Sequence, residues 1–352
     1  MRFSLPPCKA RGHNIPMSLV IQKIGVVGAG AWGTALAATA RRAGRDVLIQ
    51  CHETEVAEAI NQSHENTRFL PGVSLDKDIR ATTDLKDITA CDAVLLVMPA
   101  QFLRAITSQM AGSWRDGAPA VICAKGIEQK TGTLLSEIAS ETLPGVTLAV
   151  LSGPTFAIEV ARGMPTAVTL ASKDAETAAA LSTAIGTPAF RAYRSDDIVG
   201  AELGGAIKNV LAIGCGIIEG RKMGDNARAA FITRGLAEIA RLATAKGADP
   251  ETLVGLSGLG DLTLTCNAMQ SRNFSLGVAL GEGRSLEDIL AERASVTEGV
   301  FTASSAVQLA KSLNVEAPIC SAMDGILNNN ADIDATIQSL LARPVGHEAP
   351  LG

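Results

Sequence analysis

Short apolar runs alternate with longer amphipathic stretches through the first half of the chain. These runs have no polar face, which is typical of strands buried on both sides of a parallel sheet. The predicted strands cover 24–27, 47–49, 93–97, 120–124, 148–151 and 166–171. Between them lie predicted helices such as 32–43, which Gly44 ends, and 131–141. This repeated strand and helix order predicts an α/β fold with a doubly wound sheet.

The pattern changes after about Asp196, where long helical segments replace the alternation. Predicted helices include 198–219, 226–246, 286–293, 300–313 and 333–342, and no comparable strand run follows. We expect a disordered extension over 1–17, a sheet domain over 18–200 and an all-helical domain over 201–345. The helix through Leu203 and Lys208 would join the domains, with a cleft between the carboxyl edge of the sheet and the helical cap.

Composition narrows the class of protein. The 352 residues are 47% hydrophobic but only 3% aromatic, which fits cores of Ala, Val, Leu and Ile. A formal net charge of -5, without a Lys- or Arg-rich tract, argues against a nucleic-acid partner. The seven Cys residues are scattered without metal-ligand or disulfide spacing. We therefore expect buried thiols in a reducing cytosol and no metal site.

The first residues lack the pattern of a targeting sequence. Pro6 and Pro7 interrupt residues 1–16, and no continuous apolar core follows the basic residues there. Met17 stands just before the first predicted strand, so residues 1–16 are either a mobile extension or a mis-assigned start. No apolar run approaches the roughly 20 residues that span a bilayer. We expect a cytoplasmic protein without a membrane span.

A glycine-rich turn follows the first predicted strand and opens a helix. Gly28 suits the tight turn, Gly30 leaves room for a pyrophosphate, and Gly33 allows close packing of helix on sheet. The helix N-terminus adds free N–H groups and a positive dipole end. The spacing predicts a Rossmann-type dinucleotide site, with a ligand-free glycine turn as the alternative.

The choice between NAD and NADP depends on the end of the second strand, where an acid binds the ribose 2′-hydroxyl of NAD. Here the strand ends in Gln50, Cys51 and His52, and Glu53 lies beyond the usual place. Arg41, Arg42 and His52 would attract a 2′-phosphate instead. The sequence favours NADPH and leaves NADH open, while an exposed His52 that binds nothing is the alternative for that residue.

Reduction of a carbonyl needs a proton donor, and the four His residues are poorly placed for it: His13, His52, His64 and His347. Lys125 and Lys208 each interrupt an apolar segment, and burial lowers the pKa of an ammonium toward the useful range. The alternative is a Lys that extends its head to water. Gly204 and Gly205 favour the first interpretation for Lys208, since small residues let a ligand approach the helix.

Polar groups cluster over Asp261 to Thr265 and again at Ser271, Arg272 and Asn273. Arg272 has the geometry to bind a phosphate with two hydrogen bonds, and its neighbours would add donors at a helix start. A capped helix with a solvent-facing Arg would give the same pattern.

Five segments together carry a family resemblance: GAGAWGTALA at 28–37, CAKGIE at 123–128, LSGPTFAIEV at 151–160, LGGAIKNVLAIG at 203–214 and GLGDLTLTCNAMQSRN at 258–273. The chain resembles the NAD(P)-dependent glycerol-3-phosphate dehydrogenases of bacteria from about Ile24 to the last helix. The resemblance implies an N-terminal Rossmann domain, a C-terminal helical domain and reversible reduction of dihydroxyacetone phosphate to sn-glycerol 3-phosphate for phospholipid synthesis.

The resemblance also implies roles for particular residues. Lys208 would be the proton donor and acceptor, with Lys125 and Asp261 beside the reacting oxygen. The implied substrate residues are Lys125, Gly153, Thr155, Lys208, Asn209, Asp261, Thr265, Ser271, Arg272 and Asn273. The implied cofactor residues include the glycine turn with Ala31, and also His52. The others are Trp32, Lys125, Ala157, Arg272, Val296 and Glu298. Two departures are Ala31, where many relatives have Ser, and the sequence at 50–52, which leaves the NADH to NADPH ratio open.

Two other functions remain open at this point. Hydroxyacid dehydrogenases of the 6-phosphogluconate and 3-hydroxyisobutyrate type share the two domains and a Lys proton carrier. A dinucleotide-sensing regulator would bind NAD(P) without chemistry, but it would need neither Lys208 nor the residues around Arg272. The oligomeric state is also open, with a homodimer as one candidate.

Overall fold

The computed structural model of the chain describes residues 19–293 and 297–344. Within them, eight strands form one sheet in the order β3-β2-β1-β4-β5-β6-β7-β8. The strands are β1 (Lys23–Val27), β2 (Asp46–Gln50), β3 (Arg80–Thr82), β4 (Ala93–Leu96), β5 (Ala120–Ile122), β6 (Leu148–Ser152), β7 (Thr166–Ala171) and β8 (Phe190–Ser195). Neighbours are parallel except β6 and β7. The carboxyl ends of β1 to β6 therefore meet at one edge.

Helices connect the strands of the sheet, and after β8 the described chain contains helices without further strands. Those among the strands are α1 (Ala31–Arg42), α2 (Thr54–Ser63), α3 (Leu85–Thr89), α4 (Leu103–Met110), α5 (Leu135–Thr142), α6 (Ala157–Ala161) and α7 (Ala175–Ile185). Those after the sheet are α8 (Ile198–Gly220), α9 (Asp225–Ala245), α10 (Pro250–Leu253), α11 (Asp261–Thr265), α12 (Arg272–Gly281), α13 (Leu286–Ala291), α14 (Glu298–Ser312), α15 (Pro318–Asn328) and α16 (Ile333–Leu341). The predicted fold class, a doubly wound α/β sheet followed by helices, is confirmed.

Both faces of the sheet are buried by helices, as the unbroken apolar strands predict. One core packs β1, β2 and β4 against α1, α2 and α7, with Ile24, Leu36 and Leu181 among its members. A second core, on the opposite face, packs β4 and β5 against α4 and α5 through residues such as Leu103 and Ile138. Strand side chains alternate between these two cores, so both faces of the sheet are covered and a site on the sheet has to lie at an edge.

The predicted strand and helix list was wrong at three places. β3 and β8 were missed because each lies at an edge of the sheet, where exposed side chains interrupt the apolar run. The helix predicted to begin at residue 131 begins at Leu135. Gly132 has a φ of 69° and Leu134 pairs with Ile127 in an isolated β-bridge, so residues 131–134 form a turn instead. The predicted extension over 1–17 lies outside the described residues.

The longest helix, α8, is the core of the helical part. By length and composition alone, α8 is long and apolar enough to cross a membrane. The expectation that no apolar run approaches the length of a membrane span was therefore wrong. The apolar stretch of α8 is completely buried inside the protein. Helices α9, α12, α14 and α15 pack around it. The apolar character of α8 is therefore explained by its burial in the core of the helical part.

Glycines bring α12 into close contact with α8. A Cβ atom at Gly277 would lie 2.0 Å from the backbone oxygen of Ile213, and one at Gly216 would lie 2.1 Å from that of Phe274. No side chain fits at such distances, so the two backbones touch directly. This contact fixes the start of α12, with Arg272, relative to the middle of α8, with Lys208.

A buried carboxylate joins α8 to the sheet half. Glu202 of α8 accepts a hydrogen bond from the backbone N–H of Ser136 at 2.9 Å and another from the Ser136 hydroxyl. Burial raises the pKa of Glu202 to about 7, against the lowering effect of these two bonds. Because Ser136 lies in the first turn of α5, the acid also meets the positive end of that helix.

Candidate active site

The glycine turn has the geometry that its sequence predicts. Gly28 has a φ of 103°, and a Cβ there would lie 2.9 Å from the backbone nitrogen of Met98. A Cβ at Gly33 would lie 1.9 Å from the oxygen of Gly28, so α1 packs directly on the turn. A Cβ at Gly30 meets no atom within 4 Å. Gly30 thus leaves open space at the N-terminus of α1, where free N–H groups favour a phosphate.

Two alanine substitutions should separate the structural and ligand-binding roles of this turn. Gly33→Ala forces a Cβ onto the Gly28 oxygen, and we expect the free energy of unfolding to fall by about 2 kcal/mol or more. Gly30→Ala meets no protein atom, so its stability should stay at the wild-type value while dinucleotide binding weakens. Chemical denaturation and titration calorimetry measure the two effects. Unchanged cofactor affinity in Gly30→Ala would contradict pyrophosphate binding at this position.

Trp32 and Glu298 provide buried polar atoms without a partner among the described residues: Trp32 Nε1 and Glu298 Oε2. The other carboxylate oxygen of Glu298 accepts from the backbone N–H of Ala100 at 3.1 Å, which places it near the carboxyl end of β4. Burial raises the pKa of Glu298. Ala157 begins α6 and packs beside the core that Trp32 also contacts. Together with the space at Gly30, these orphaned polar atoms fit a bound dinucleotide along this edge.

Val296, the remaining implied cofactor residue near Glu298, lies outside the described residues. Ala31 is the first residue of α1 and is half-buried beside the turn. His52 is exposed just beyond the end of β2. These three positions remain predictions.

The arginines expected to attract a 2′-phosphate are engaged elsewhere, and that expectation was wrong for both. Arg41 pairs with Asp46, Asp76 and Asp78. Arg42 donates to the backbone oxygens of Val160 and Ala161 at 2.6 and 2.7 Å. Both residues lie in the last turn of α1, at the opposite end from the glycine turn.

Sequence reasoning missed the loop after α2, which contacts the glycine turn. Asn66 is buried and its Nδ2 donates at 2.8 Å to both the Ala29 backbone oxygen and the Thr34 hydroxyl. Arg68 follows two residues later, with its Nη2 atom 3.7 Å from Glu53 Oε1. Loop residues carry no periodic signal, and only the polar character of 64–68 marked the segment.

Lys208, Lys125 and Asp261 form one buried cluster. Lys208 Nζ donates to Asp261 Oδ1 at 2.5 Å and to the Thr265 hydroxyl at 2.8 Å. Lys125 Nζ donates to Asp261 Oδ2 at 2.6 Å and to the Gly153 backbone oxygen at 2.9 Å. A single carboxylate therefore bridges the two ammonium groups that the sequence singled out.

The environment of Lys208 suits proton transfer. Burial lowers its pKa to about 8, with Asp261 opposing the shift and Lys125 adding to it. The side chain is 7% exposed and that of Asp261 is fully buried, so neither Lys208 nor its partner reaches bulk water. Lys208 is thus a paired, buried ammonium, and the alternative of a head extended to solvent is wrong for it. Asp261 follows a π-helical turn over Leu256–Gly260, an irregularity that is frequent at functional sites.

The two glycines before Lys208 contact protein, so the expectation that they admit a ligand was wrong. A Cβ at Gly204 would lie 2.7 Å from the backbone oxygen of Ser257. One at Gly205 would lie 2.5 Å from the Ser152 hydroxyl and 3.5 Å from the Lys125 side chain. The glycines let α8 approach the strand ends closely, which brings Lys208 and Lys125 to the same carboxylate.

Gly153 and Thr155 follow the end of β6 beside Lys125. Gly153 has a φ of 156°, and a Cβ there would lie 2.9 Å from the Cα of Val168. The Thr155 hydroxyl donates to the Gly153 backbone oxygen at 3.2 Å, the same oxygen that Lys125 contacts. The structure therefore brings both residues to the lysine cluster.

The start of α12 is a capped helix with an exposed arginine, as one interpretation of its sequence predicts, and it also has the polar groups that the other interpretation assigns to phosphate binding. Ser271 is the N-cap, and its hydroxyl accepts from the Phe274 N–H at 3.2 Å. Asn273 is buried, and its Nδ2 donates to Asn209 Oδ1 at 2.9 Å while its Oδ1 accepts from the Gly299 N–H. Arg272, the first residue of α12, is exposed, and its charge interacts with that of Glu298. The capped helix thus places Arg272 between the predicted cofactor and substrate residues.

A Rossmann-type glycine turn after β1, together with a buried lysine and carboxylate cluster that includes the residue Lys125 after β5, defines a nicotinamide-dependent dehydrogenase with a helical second half. Two family models match the chain: the N-terminal model of NAD-dependent glycerol-3-phosphate dehydrogenase over residues 23–178, and the C-terminal model over residues 197–338. The chain belongs to this family.

Individual relatives agree. A glycerol-3-phosphate dehydrogenase [NAD(P)+] of Rhodospirillum rubrum is 58% identical over 330 residues, which cover 94% of this chain and 95% of that protein. One of Caulobacter vibrioides is 53% identical over 331 residues, covering 94% of this chain and all of that protein. The crystal structure of glycerol-3-phosphate dehydrogenase from Coxiella burnetii superposes with a TM-score of 0.88 at 37% identity, covering 92% of this chain and all of that one. The predicted family is confirmed.

Proposed function

We propose that the chain reduces dihydroxyacetone phosphate to sn-glycerol 3-phosphate, reversibly, with Lys208 as the proton donor. The observation that carries this is the buried contact of Lys208 Nζ with Asp261 at 2.5 Å, in a chain that also has a dinucleotide-type glycine turn. Such a cluster serves a carbonyl that becomes an alkoxide, because a preorganised ammonium stabilises the developing charge and then supplies a proton. The product supplies glycerophospholipid synthesis, and we expect it to be made in the cytoplasm.

The nicotinamide cofactor supplies the hydride when it is bound. Lys208 holds its proton toward the carbonyl oxygen, while Asp261 accepts from both lysines and keeps them at fixed positions. Lys125 adds a second positive charge at that oxygen. The closed surroundings exclude water, so these charges act in a low-dielectric space.

The phosphate end of the substrate meets the start of α12. Arg272 binds the phosphate, with Ser271 and Asn273 adding donors at the helix N-terminus. Asn273 also positions Asn209 through their hydrogen bond, so that Asn209 and Thr265 are available to the substrate hydroxyl and carbonyl groups. Gly153 and Thr155 complete the pocket next to Lys125. In this proposal the predicted sheet domain over 18–200 binds the cofactor, and the predicted helical domain over 201–345 binds most of the substrate.

NADPH is the favoured cofactor, with NADH as a second one. The support is that β2 ends at Gln50 without an acid, so a 2′-phosphate is not repelled at the strand end itself.

A substrate panel tests the proposed reaction. Purified protein should oxidise NADPH in the presence of dihydroxyacetone phosphate and should be inactive with unphosphorylated dihydroxyacetone, which cannot engage Arg272. The same panel includes 2- and 3-hydroxy acids in the oxidative direction. Turnover of a hydroxy acid, without turnover of dihydroxyacetone phosphate, would instead support a hydroxyacid dehydrogenase. Cofactor binding without any turnover would support a sensor.

The pKa of Lys208 predicts opposite pH profiles for the two directions. Reduction needs the ammonium, so kcat/KM for dihydroxyacetone phosphate should be flat below pH 8 and should fall above it, since burial lowers this pKa to about 8. Oxidation of glycerol 3-phosphate needs the neutral amine, so kcat/KM should rise with pH and level off above the same value. Steady-state kinetics across pH measure both. Profiles that move in the same direction would contradict a single group acting as acid and base.

A further inference from the structure

An acid and a cation face each other just beyond the end of β2. Glu53 is the N-cap of α2, and its side chain makes no cap hydrogen bond. Its Oε1 atom lies 3.7 Å from Arg68 Nη2, which is an ion-pair distance beyond hydrogen-bond length. The Glu53 and Arg68 side chains are 26% and 55% exposed. This contact is therefore a weak surface ion pair that a better partner can replace.

The loop that carries Arg68 is held against the cofactor turn. Asn66 donates to the Ala29 backbone oxygen inside that turn, and its own Oδ1 accepts from the Phe69 N–H at 3.1 Å. The Arg68 guanidinium lies 5.1 Å from the centroid of the Phe69 ring, and Phe69 packs on the core of the sheet. Stacking on that ring orients the guanidinium and leaves its N–H groups toward the strand end.

The position of the pair matches the adenosine ribose of a dinucleotide. In a Rossmann site the ribose 2′-position lies beyond the end of the second strand, where an acid binds a hydroxyl or an Arg binds a phosphate. This chain places one residue of each kind there, in contact with each other. Arg41 and Arg42 do not compete for this role because aspartates and backbone oxygens occupy them.

We infer that Glu53 and Arg68 form an exchangeable pair that recognises the 2′-position of the cofactor. Arg68 leaves Glu53 to bind the 2′-phosphate of NADPH with two charge-assisted hydrogen bonds. With NADH, Arg68 stays on Glu53, whose free oxygen accepts a hydrogen bond from the 2′-hydroxyl. The inference rests on the proposed use of both cofactors, and it makes this pair the specificity determinant.

Binding measurements on Arg68→Met and Glu53→Gln test the pair without turnover. In titration calorimetry with no substrate present, Arg68→Met should weaken NADPH binding by ~10- to 100-fold, the loss expected for hydrogen bonds to a charged group. Its NADH affinity should stay at the wild-type value. Glu53→Gln should do the reverse: weaker NADH binding because a neutral amide oxygen is a weaker acceptor than a carboxylate, and tighter NADPH binding because a negative charge beside the phosphate is removed.

Arg80→Met is the matched control, because Arg80 is exposed at the amino end of β3, away from the carboxyl edge. It should bind both cofactors as the wild type does. Equal losses for NADPH and NADH in Arg68→Met, or an unchanged NADPH affinity, would overturn the inference. Kinetics with dihydroxyacetone phosphate separate this result from failure of the proposed function. Wild-type turnover with an unchanged cofactor ratio in Arg68→Met would leave the reaction standing and remove only the role of the pair.

Discussion

Replacing Lys208 with methionine should lower kcat for reduction of dihydroxyacetone phosphate by ~10²- to 10⁴-fold, the range that general acid catalysis contributes. Methionine keeps the length and the apolar packing of the lysine stem within α8, but it has no proton to give. Asp261 keeps Lys125 as its partner, so the buried carboxylate is not left without a positive charge. Stopped-flow or steady-state kinetics measure the loss, and calorimetry should find cofactor affinity unchanged.

Lys311→Met is the control for this substitution, because Lys311 is an exposed residue in the last turn of α14. It should turn over at the wild-type rate. Near wild-type kcat in Lys208→Met, with intact folding, would remove Lys208 from the reaction and move the proton donor to Lys125.

Asp261→Asn should have the second large effect, on stability and on pH dependence together. The fully buried carboxylate is the shared partner of Lys208 and Lys125. Its loss leaves two ammonium groups close together, so we expect the free energy of unfolding to fall by about 3–5 kcal/mol at neutral pH. Since the Asp261 charge raises the pKa of Lys208, its removal should move the midpoint of the reduction profile below pH 8. Denaturation curves and pH-dependent kinetics measure the two changes.

Thr265→Val provides the comparison for Asp261→Asn. It removes the hydroxyl that accepts from Lys208 at 2.8 Å but keeps every charge. We expect a loss of about 1 kcal/mol in stability and little movement of the pH profile. A profile that moves upward in Asp261→Asn would contradict the assigned electrostatic role.

Local patterns in the sequence were enough to predict six of the eight strands that the structure describes, the glycine turn and the two lysines. Buried strands such as β4 have a continuous apolar run, and a lysine inside one of the apolar segments is conspicuous because burying its charge is costly. Edge strands lack that contrast, which is why β8, with exposed Arg191 and Tyr193, escaped prediction.

The contacts between distant segments were not predictable from patterns of this kind. Lys208 and Asp261 are 53 positions apart, and Lys125 and Asp261 are 136 apart. These side chains come into contact because α8 packs closely against other segments at Gly204 and Gly205. The sequence alone does not show which segment packs against a given glycine. Arg68 was missed for a related reason, since only the fold brings its loop to the end of β2.

The most direct test of hydride transfer to dihydroxyacetone phosphate follows a hydrogen isotope from the cofactor into the product. Dihydroxyacetone phosphate is incubated with the protein and NADPH that carries two deuterium atoms at the nicotinamide C4 position, and the product is identified by NMR and mass spectrometry. We expect sn-glycerol 3-phosphate with one deuterium at C2. Recovery of unchanged dihydroxyacetone phosphate, or a product without deuterium at C2, would contradict this expectation.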